Sequence, residues 1–429
     1  MGVDAAGDVP LPWQQPNNTE GTAWWRLQAA GVSGTEAGTT GAAYLPFPWA
    51  SWIDAVARGL RPPEPPLRAG TPPGPVATVC QHIDALEHLP ALRAAGVTDL
   101  FWSHTRRGTC LHEGVRLHPF PLLPVRCLSH PPPPDPIAPA ARPLLYCFQG
   151  FQPPGAARSA VRRWLLRLPP RPDARLTERR EWHFEQQVYR EQVHGQGPDP
   201  GRHQQLAAEA DAYVAALRDS CFALCPAGAG PNSIRLWEAL GFGAIPVILS
   251  DQLRLPGEAA LWEQAALFVP ERAEAVAALP HTLAQLRGQP ERLAVMQAAG
   301  RRLWRRYGPE GFVADVSDFL HDPDAVLRRR ARQRLGGDGA CEELVGREPA
   351  ALLLGVRTWL RQAPRGARLL IHLEDQRPPE LQERLWRGCV GLAAQLLAAR
   401  SDVAWQLSCR APRLEALAGP PLTGSDASG

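Results

Sequence analysis

The sequence predicts an α/β protein with parallel sheets, organised in two or three domains. Its 429 residues are more than a single domain usually contains. The hydrophobic content of 45% is sufficient for buried cores. Short runs of strand-forming residues alternate with amphipathic helical segments between residues 76 and 325, which is the pattern of β-α-β units.

Composition argues against several classes of protein. The net charge is only +3, so we expect no broad nucleic-acid surface. No run reaches about 18 consecutive apolar residues, and the N-terminus lacks a signal-peptide pattern, so neither a transmembrane helix nor secretion is expected. The nine cysteines are scattered and form no CxxC pair, which favours a reduced, cytoplasmic protein without a zinc site.

The first 200 residues are expected to contain one Rossmann-like domain. Residues 1–70 have an irregular pattern, and 1–40 are assigned to an N-terminal segment outside the domain, which spans 41–200. Within this domain we predict strands near residues 76, 98 and 144, with a helix after each of the first and third. The Pro/Arg-rich stretch 168–180 is predicted to be a loop.

The second half is expected to contain another Rossmann-like domain and a smaller unit. In 201–330, apolar residues at helical spacing predict a helix over about 202–218. A strand follows, in which Cys221 and Cys225 are expected to be small buried residues. Residues 337–429 contain two predicted strands around a helix, which indicates a small C-terminal α/β extension of unknown role.

The segment 226–251, PAGAGPNSIRLWEALGFGAIPVILSD, carries the main functional signal. Gly228 and Gly230 allow the backbone to approach a ligand closely, and Asn232 or Ser233 can cap the helix that follows. The free N–H groups at the start of this helix, together with its dipole, favour an anion such as phosphate.

Arg235 and Glu238 are three residues apart, so they share one face of this helix. Their order is unfavourable for the helix dipole, and such locally unfavourable choices tend to occur at functional sites. A nucleoside diphosphate would explain both, because Arg235 could bind phosphate oxygens and Glu238 ribose hydroxyls. Spacing alone leaves a solvated ion pair as the alternative. Asp251 follows the next strand, at the sheet edge where open α/β sheets bind ligands.

The string CFALCPAG…SIRLWEALGFGAIPVILSDQLRLP, residues 221–256, resembles the sugar-nucleotide-binding segment of the exostosin-like glycosyltransferases. In that family a Cys-Pro strand precedes a Gly-rich loop, a Ser-x-Arg-x-x-Glu-Ala helix and a Pro-Val-Ile strand ending in Ser-Asp or Ser-Asn. Weaker similarities extend the resemblance to about residues 40–325. Two glutamates eight residues apart, typical of retaining relatives, are absent, because Gly230 and Pro246 occupy the positions eight before and eight after Glu238.

The resemblance implies a GT-B architecture, in which two Rossmann-like domains face each other across a cleft. It implies an inverting glycosyltransferase of polysaccharide biosynthesis that needs no metal and no cofactor. The donor substrate would be a nucleoside diphosphate sugar, expected to be UDP-linked. The acceptor would be a glycan or a lipid-linked molecule, which allows peripheral membrane association. By this resemblance Arg235 would contact the diphosphate, Glu238 the ribose, and Ser233 the loop or a phosphate.

An inverting transfer also needs a general base that removes the proton of the acceptor. His82, Asp84, Asp99 and His104 lie near predicted strand ends in the N-terminal domain. His104 is the first choice because the ordinary pKa of histidine is near neutrality, and Asp99 is the second. A purely structural role is the alternative for either residue.

Several arginines are further candidates for binding an anionic donor, although a solvated surface is the favoured interpretation for all of them. Arg106 and Arg107 follow His104, and Arg158, Arg162 and Arg163 lie on the predicted helix after residue 151. Two rival functions stay open. One is a GDP-fucose-type inverting GT-B transferase, and the other is a non-catalytic nucleotide- or carbohydrate-binding protein.

Overall fold

The computed structural model describes residues 11–32, 42–60, 62–65, 74–107, 109–152, 160–323, 326, 342–346, 349–363, 368–373, 377–400, 403–408 and 414. Its strands are β1 (Ala43–Tyr44), β2 (Val76–Cys80), β3 (Asp99–Trp102), β4 (Thr109–His112), β5 (Val115–Pro119), β6 (Leu144–Phe151), β7 (Ala174–Arg179), β8 (Ser220–Pro226), β9 (Ile245–Leu249), β10 (Leu267–Phe268), β11 (Glu342–Gly346), β12 (Arg368–Leu373) and β13 (Ala404–Ser408).

The α-helices are α1 (Thr19–Ala29), α2 (Trp49–Ala57), α3 (Leu89–Ala94), α4 (Val125–Ser129), α5 (Val161–Leu166), α6 (Pro200–Asp219), α7 (Ile234–Phe242), α8 (Ala259–Ala265), α9 (Ala273–Arg287), α10 (Pro290–Tyr307), α11 (Ala314–His321), α12 (Pro349–Gln362) and α13 (Pro379–Ala398). Short 3₁₀ turns occur at Ala85–His88 and Pro139–Ala141, and a π-helical stretch spans Glu185–Val193.

The strands form two sheets, which we call the first and the second sheet. The second sheet has five parallel strands in the order β10-β9-β8-β6-β7. Every residue of β8 and β9 is buried, which is typical of parallel strands covered by helices on both faces. One face packs on α9 through Leu279 and Leu283, and the other packs on α7 through Trp237 and Leu240. The strand order reverses between β6 and β8, so the sheet has a switch point there.

The first sheet has eight strands in the order β1-β2-β3-β5-β4-β11-β12-β13. Strands β1, β2, β3 and β5 are parallel, but β4 is antiparallel to β5, and β11, β12 and β13 follow the direction of β4. The reversal occurs in the tight β4-β5 turn, where Glu113 and Gly114 both have positive φ angles, 45° and 83°. The carboxyl ends of β11, β12 and β13 therefore lie at the opposite sheet edge from those of β2 and β3.

The predicted α/β class, with two Rossmann-like sheets, is confirmed, but several local predictions are wrong. Residues 1–70 contain the helices α1 and α2, and the predicted loop 168–180 contains strand β7. The division between the sheets does not coincide with the predicted domain boundary at residue 200, because β6 and β7 already belong to the second sheet. The predicted extension 337–429 supplies β11, β12 and β13 to the first sheet, because β11 pairs with β4.

Two loops, 105–107 and 252–254, connect the part of the molecule built on the first sheet with the part built on the second sheet. The Arg107 N–H group donates to the Gln252 carbonyl at 2.8 Å, and the Arg254 N–H group donates to the Thr105 carbonyl at 3.0 Å. The Thr105 hydroxyl also donates to the Arg254 carbonyl at 3.2 Å. Arg106 forms a β-bridge in the same ribbon, and neither Arg106 nor Arg107 lines the cavity described next.

Candidate functional site

A cavity of about 340 Å³ lies between the two sheets. Its walls come from the carboxyl ends of β2, β3, β6, β7 and β8, from α2 and from the start of α7. In the second sheet these residues flank the switch point between β6 and β8. Open α/β sheets bind ligands at such a position, because the loops on either side diverge there and leave a crevice.

The glycine-rich loop lines this cavity with all four residues predicted from it: Gly228, Gly230, Asn232 and Ser233. Two of its amide groups are not free, since the Gly228 N–H group donates to the Gly230 carbonyl at 2.9 Å and the Ser233 N–H group to Asn232 Oδ1 at 2.8 Å.

Close packing against side chains explains the two glycines of this loop. A Cβ atom on Gly228 would lie 2.8 Å from Nη2 of Arg162, and one on Gly230 would overlap the imidazole ring of His104. The glycines were predicted to admit a phosphate, whereas in the structure they admit these two side chains.

Asn232 connects the glycine-rich loop to the first sheet by a hydrogen bond. Its Nδ2 donates to the Ser103 carbonyl, just after β3, at 2.7 Å. Its Oδ1 accepts from Trp237 Nε1 at 3.1 Å as well as from Ser233. The position of the loop therefore depends on contacts with both halves of the molecule.

Arg235 and Arg162 lie side by side in the cavity wall. The Arg235 side chain stacks on the ring of Phe148, 4.6 Å from its centroid, and donates to the Gln149 carbonyl, while its Nε has no hydrogen-bond partner among the residues that the structure describes. Arg162 donates to the Ala227 carbonyl at 3.0 Å. Burial, reinforced by the charge of Arg235, lowers the pKa of Arg162 to about 10.

Two further arginines line the same cavity and complete what we call the arginine cluster: Arg126, Arg162, Arg179 and Arg235. Arg179 pairs with Glu209 at 2.9 Å. No ion pair joins the other three to a carboxylate in the part of the chain that the structure describes. Burial and the nearby charges of the cluster lower the pKa of His183 well below its ordinary value, so this imidazole adds no competing positive charge. The cavity therefore favours a polyanion.

Glu238 is buried beside the cluster. Its Oε1 accepts from the Arg126 N–H group at 2.9 Å and its Oε2 accepts from the Tyr213 hydroxyl at 2.7 Å. Burial raises the pKa of Glu238. Since Arg235 and Glu238 are both buried and form no ion pair, the alternative of a solvated pair is wrong.

The two residues predicted as catalytic differ in position. His104 lines the cavity, but burial lowers its pKa to about 3, so it is a poor base near neutrality. Asp99 begins β3, at the strand end opposite the cavity, and is fully buried. It accepts from Arg116 Nε at 2.7 Å and contacts His118 Nε2 at 2.7 Å. The prediction that Asp99 acts in the cleft is therefore wrong, because a structural ion pair occupies its carboxylate.

Asp251 follows β9 but does not line the cavity. Its Oδ2 accepts from the Glu271 N–H group at 3.2 Å, and Glu271 Oε2 accepts from the Asp251 N–H group at 3.0 Å. These reciprocal bonds hold two exposed loops together. The expectation that Asp251 belongs to the ligand site is therefore wrong.

Comparison with known proteins fits this geometry. Residues 112–285 match the Exostosin GT47 domain family. This segment is an exostosin GT47 domain.

Similar sequences include a probable glucuronosyltransferase of Oryza sativa subsp. japonica, 47% identical over 60 residues, which are 14% of each chain. A probable beta-1,4-xylosyltransferase of Arabidopsis thaliana is 44% identical over 61 residues, 14% of this chain and 15% of the relative. The chain thus aligns with only about a seventh of the length of these relatives.

The GT47 domain contains all four members of the arginine cluster, including two that sequence reasoning missed. Arg126 and Arg179 were missed because one follows a proline-rich turn and the other ends a strand predicted as loop. Asp54 and Gln14, outside the GT47 domain, were also missed, although Asp54 is the one charged residue of the mostly apolar helix α2. Arg162 was assigned to a solvated surface and is instead in the cavity, whereas Arg163 is exposed and Arg158 lies outside the described residues.

The described residues contain neither a candidate metal site nor a candidate membrane-spanning helix. No group of three or more His, Cys, Asp or Glu side chains is placed to hold a metal ion in the ranges that the structure covers. None of the helices described there combines the length and apolarity that a membrane span requires.

Proposed function

We propose that this protein is a glycosyltransferase that transfers a sugar from a nucleoside diphosphate sugar, expected to be a UDP-sugar, to a glycan or lipid-linked acceptor with inversion. The observation that supports this most is the arginine cluster. Three guanidinium groups that form no ion pair with a carboxylate of the described residues line one cavity, next to the N-terminus of α7 and at the switch point of a parallel sheet. A diphosphate would supply the negative charge that balances these guanidinium groups.

The same groups suit the chemistry of the transfer. Negative charge grows on the diphosphate as its bond to the sugar breaks, and preorganised cations in a water-poor site stabilise that charge. Arg162 and Arg235 would contact the diphosphate. Glu238, with both oxygens already oriented by Arg126 and Tyr213, would accept from the ribose hydroxyls.

The names of the relatives suggest which donors to test first. One is named a glucuronosyltransferase and another a beta-1,4-xylosyltransferase, so we propose a glucuronic acid or xylose donor. UDP-sugars of this kind carry an α-linked sugar, so a β-linked product would require inversion. A cytoplasmic location, independence of metal and cofactor, and peripheral membrane association stay predictions.

Binding of UDP by calorimetry tests this function. Arg162→Gln removes a cation from the cavity, and Arg163→Gln is the matched control because Arg163 is exposed on the same helix. A charge-assisted hydrogen bond contributes about 1.5–3 kcal/mol, so we expect Arg162→Gln to weaken UDP binding by about 10- to 100-fold. The control should bind as the wild-type protein does.

Three results would contradict parts of this proposal. Equal affinity of the two variants would place the diphosphate elsewhere. Preference for GDP over UDP would favour the GDP-fucose-type transferase. UDP binding without turnover of UDP-glucuronic acid, UDP-xylose or GDP-fucose would favour the non-catalytic binding protein.

A further inference from the structure

Asp54 lies in the cavity wall on the side of the first sheet. It belongs to α2, which packs on β2 and β3 through Trp49 and Ile53. Its side chain is 12% exposed and lines the cavity, whereas most of the arginine cluster lies on the side of the second sheet. A carboxylate therefore faces the cations across the space in which a donor and an acceptor would meet.

Two neighbours orient this carboxylate. Gln14 Nε2 donates to Asp54 Oδ2 at 2.5 Å, and His82 Nε2 lies 3.4 Å from Asp54 Oδ1. The Asp84 N–H group donates to His82 Nδ1 at 3.1 Å, so the lone pair of Nδ1 is occupied. A neutral imidazole whose Nδ1 accepts this bond carries its proton on Nε2 and points it at Asp54, so the carboxylate is the hydrogen-bond acceptor of the pair.

Two other carboxylates line the cavity, and neither has this arrangement. Both oxygens of Glu238 accept hydrogen bonds beside the arginine cluster. Glu185 lies in the π-helical stretch, and no hydrogen bond among the described residues holds its carboxylate. A catalytic group must be held close to its productive geometry by supporting contacts, and Asp54 is the carboxylate on the first-sheet side that has them.

We infer that Asp54 is the general base of the transfer, positioned by His82 and Gln14. This inference rests on the proposed function. A lone pair of the acceptor hydroxyl attacks the anomeric carbon and forms the new C–O bond. The bond from that carbon to the diphosphate breaks, and its electron pair leaves with UDP. The hydroxyl proton passes to an oxygen of Asp54, with the Nε2–H group of His82 keeping the carboxylate aligned.

The experiment measures UDP release from UDP-glucuronic acid and UDP-xylose, with water as acceptor and then with added azide. Water must lose a proton when it attacks, but azide attacks without losing one and forms a glycosyl azide. The variants are Asp54→Asn and, as matched control, Asp211→Asn. Asp211 also contacts a histidine, His130 at 2.8 Å, but it is 71% exposed and outside the cavity.

We expect Asp54→Asn to lower UDP release in water by about 10²- to 10⁴-fold, the usual contribution of a general base, with unchanged UDP affinity. Azide should restore release in this variant but not in Arg162→Gln, whose donor binding is impaired. His82→Gln should lower kcat without changing KM for the donor, and azide should restore it as well. Asp211→Asn should match the wild-type protein throughout.

Several outcomes would overturn the inference. Wild-type rates for Asp54→Asn, or no restoration by azide, would show that another group removes the proton. Wild-type protein that binds UDP but releases none from either donor, in water or in azide, would show that the cavity does not catalyse transfer, so that Asp54 has no transfer step to serve as a base. Wild-type protein that does not bind UDP would refute the proposed function itself, and the inference with it.

Discussion

Gly230→Ala tests whether the glycine-rich loop is held against the first sheet. A Cβ atom at this position would lie 2.9 Å from both Cγ and Cε1 of His104, and closer still to Nδ1. His104 is buried at the end of β3 and cannot turn away into solvent. The added methyl group must therefore displace either the imidazole or the loop.

The expected cost follows from two opposing effects. Inserting a methyl group into a packed contact costs about 1–3 kcal/mol. Replacing glycine by alanine also restricts the unfolded chain, which stabilises the folded state by about 0.4–1 kcal/mol. We expect a net loss of roughly 1–2 kcal/mol in the free energy of unfolding. UDP affinity should fall as well, because the displaced loop carries the start of α7.

Urea unfolding followed by tryptophan fluorescence measures this loss. Gly391→Ala is the matched control, since it lies inside α13 and a Cβ atom there would meet none of the described residues within 4 Å. This control should be up to about 1 kcal/mol more stable than the wild-type protein, because alanine is the better helix former.

A double-mutant cycle with His104→Ala identifies the cause. If the imidazole is what the methyl group meets, the double variant should be more stable than the sum of the single changes predicts, by about 1–2 kcal/mol. Strictly additive effects, or a Gly230→Ala variant as stable as Gly391→Ala, would refute the contact.

Two further predictions concern residues that hold the fold. Arg142 is 1% exposed and donates to four backbone carbonyls, so Arg142→Met should lower the free energy of unfolding by about 3 kcal/mol or more in the same urea assay. The exposed Arg301→Met should lower it by less than about 1 kcal/mol. Burial opposes ionisation of Asp99, but Arg116 and His118 outweigh it and lower the Asp99 pKa from 3.8 to about 2. The resulting stability, roughly 2 kcal/mol, is complete above pH 4 and is lost as the pH falls from 4 to 2. Asp99→Asn should therefore be less stable at pH 5, should lack this loss between pH 4 and 2, and should bind UDP unchanged. Weaker UDP binding would place Asp99 in the cleft after all.

Local pattern was sufficient for the buried strands on either side of the glycine-rich loop and insufficient for β7 and for the pairing of β11. Strands β8 and β9 are continuous apolar runs, and the glycine-rich loop between β8 and α7 marks where the chain turns, so both strands were predictable. Strand β7 is only partly buried and has charged residues, and the prolines that precede it indicated a loop. The pairing of β11 with β4 joins segments far apart in the chain, and no local pattern specifies such a partner.

Only part of the lining of the cavity was predictable, again because local sequence pattern does not specify contacts between distant segments. Gly228, Gly230, Asn232, Ser233, Arg235 and Glu238 are close in sequence and all line the cavity. The remaining lining residues come from several loops that the fold alone brings together. His104 illustrates the limit, because its position was predicted, but its burial, and so its low pKa, depends on packing against Gly230.

The sizes of the individual contributions indicate which groups around the cavity would bind a diphosphate most strongly. A helix N-terminus contributes about 0.3–1 kcal/mol to binding an anion. Two of the nearby amide groups, those of Gly228 and Ser233, are already engaged within the loop. Each charge-assisted hydrogen bond from a guanidinium group contributes about 1.5–3 kcal/mol, and three members of the arginine cluster have no ion-pair partner among the described residues. Most of the affinity for a diphosphate should therefore come from Arg126, Arg162 and Arg235. Only Arg235 belongs to the segment in which the family pattern is visible.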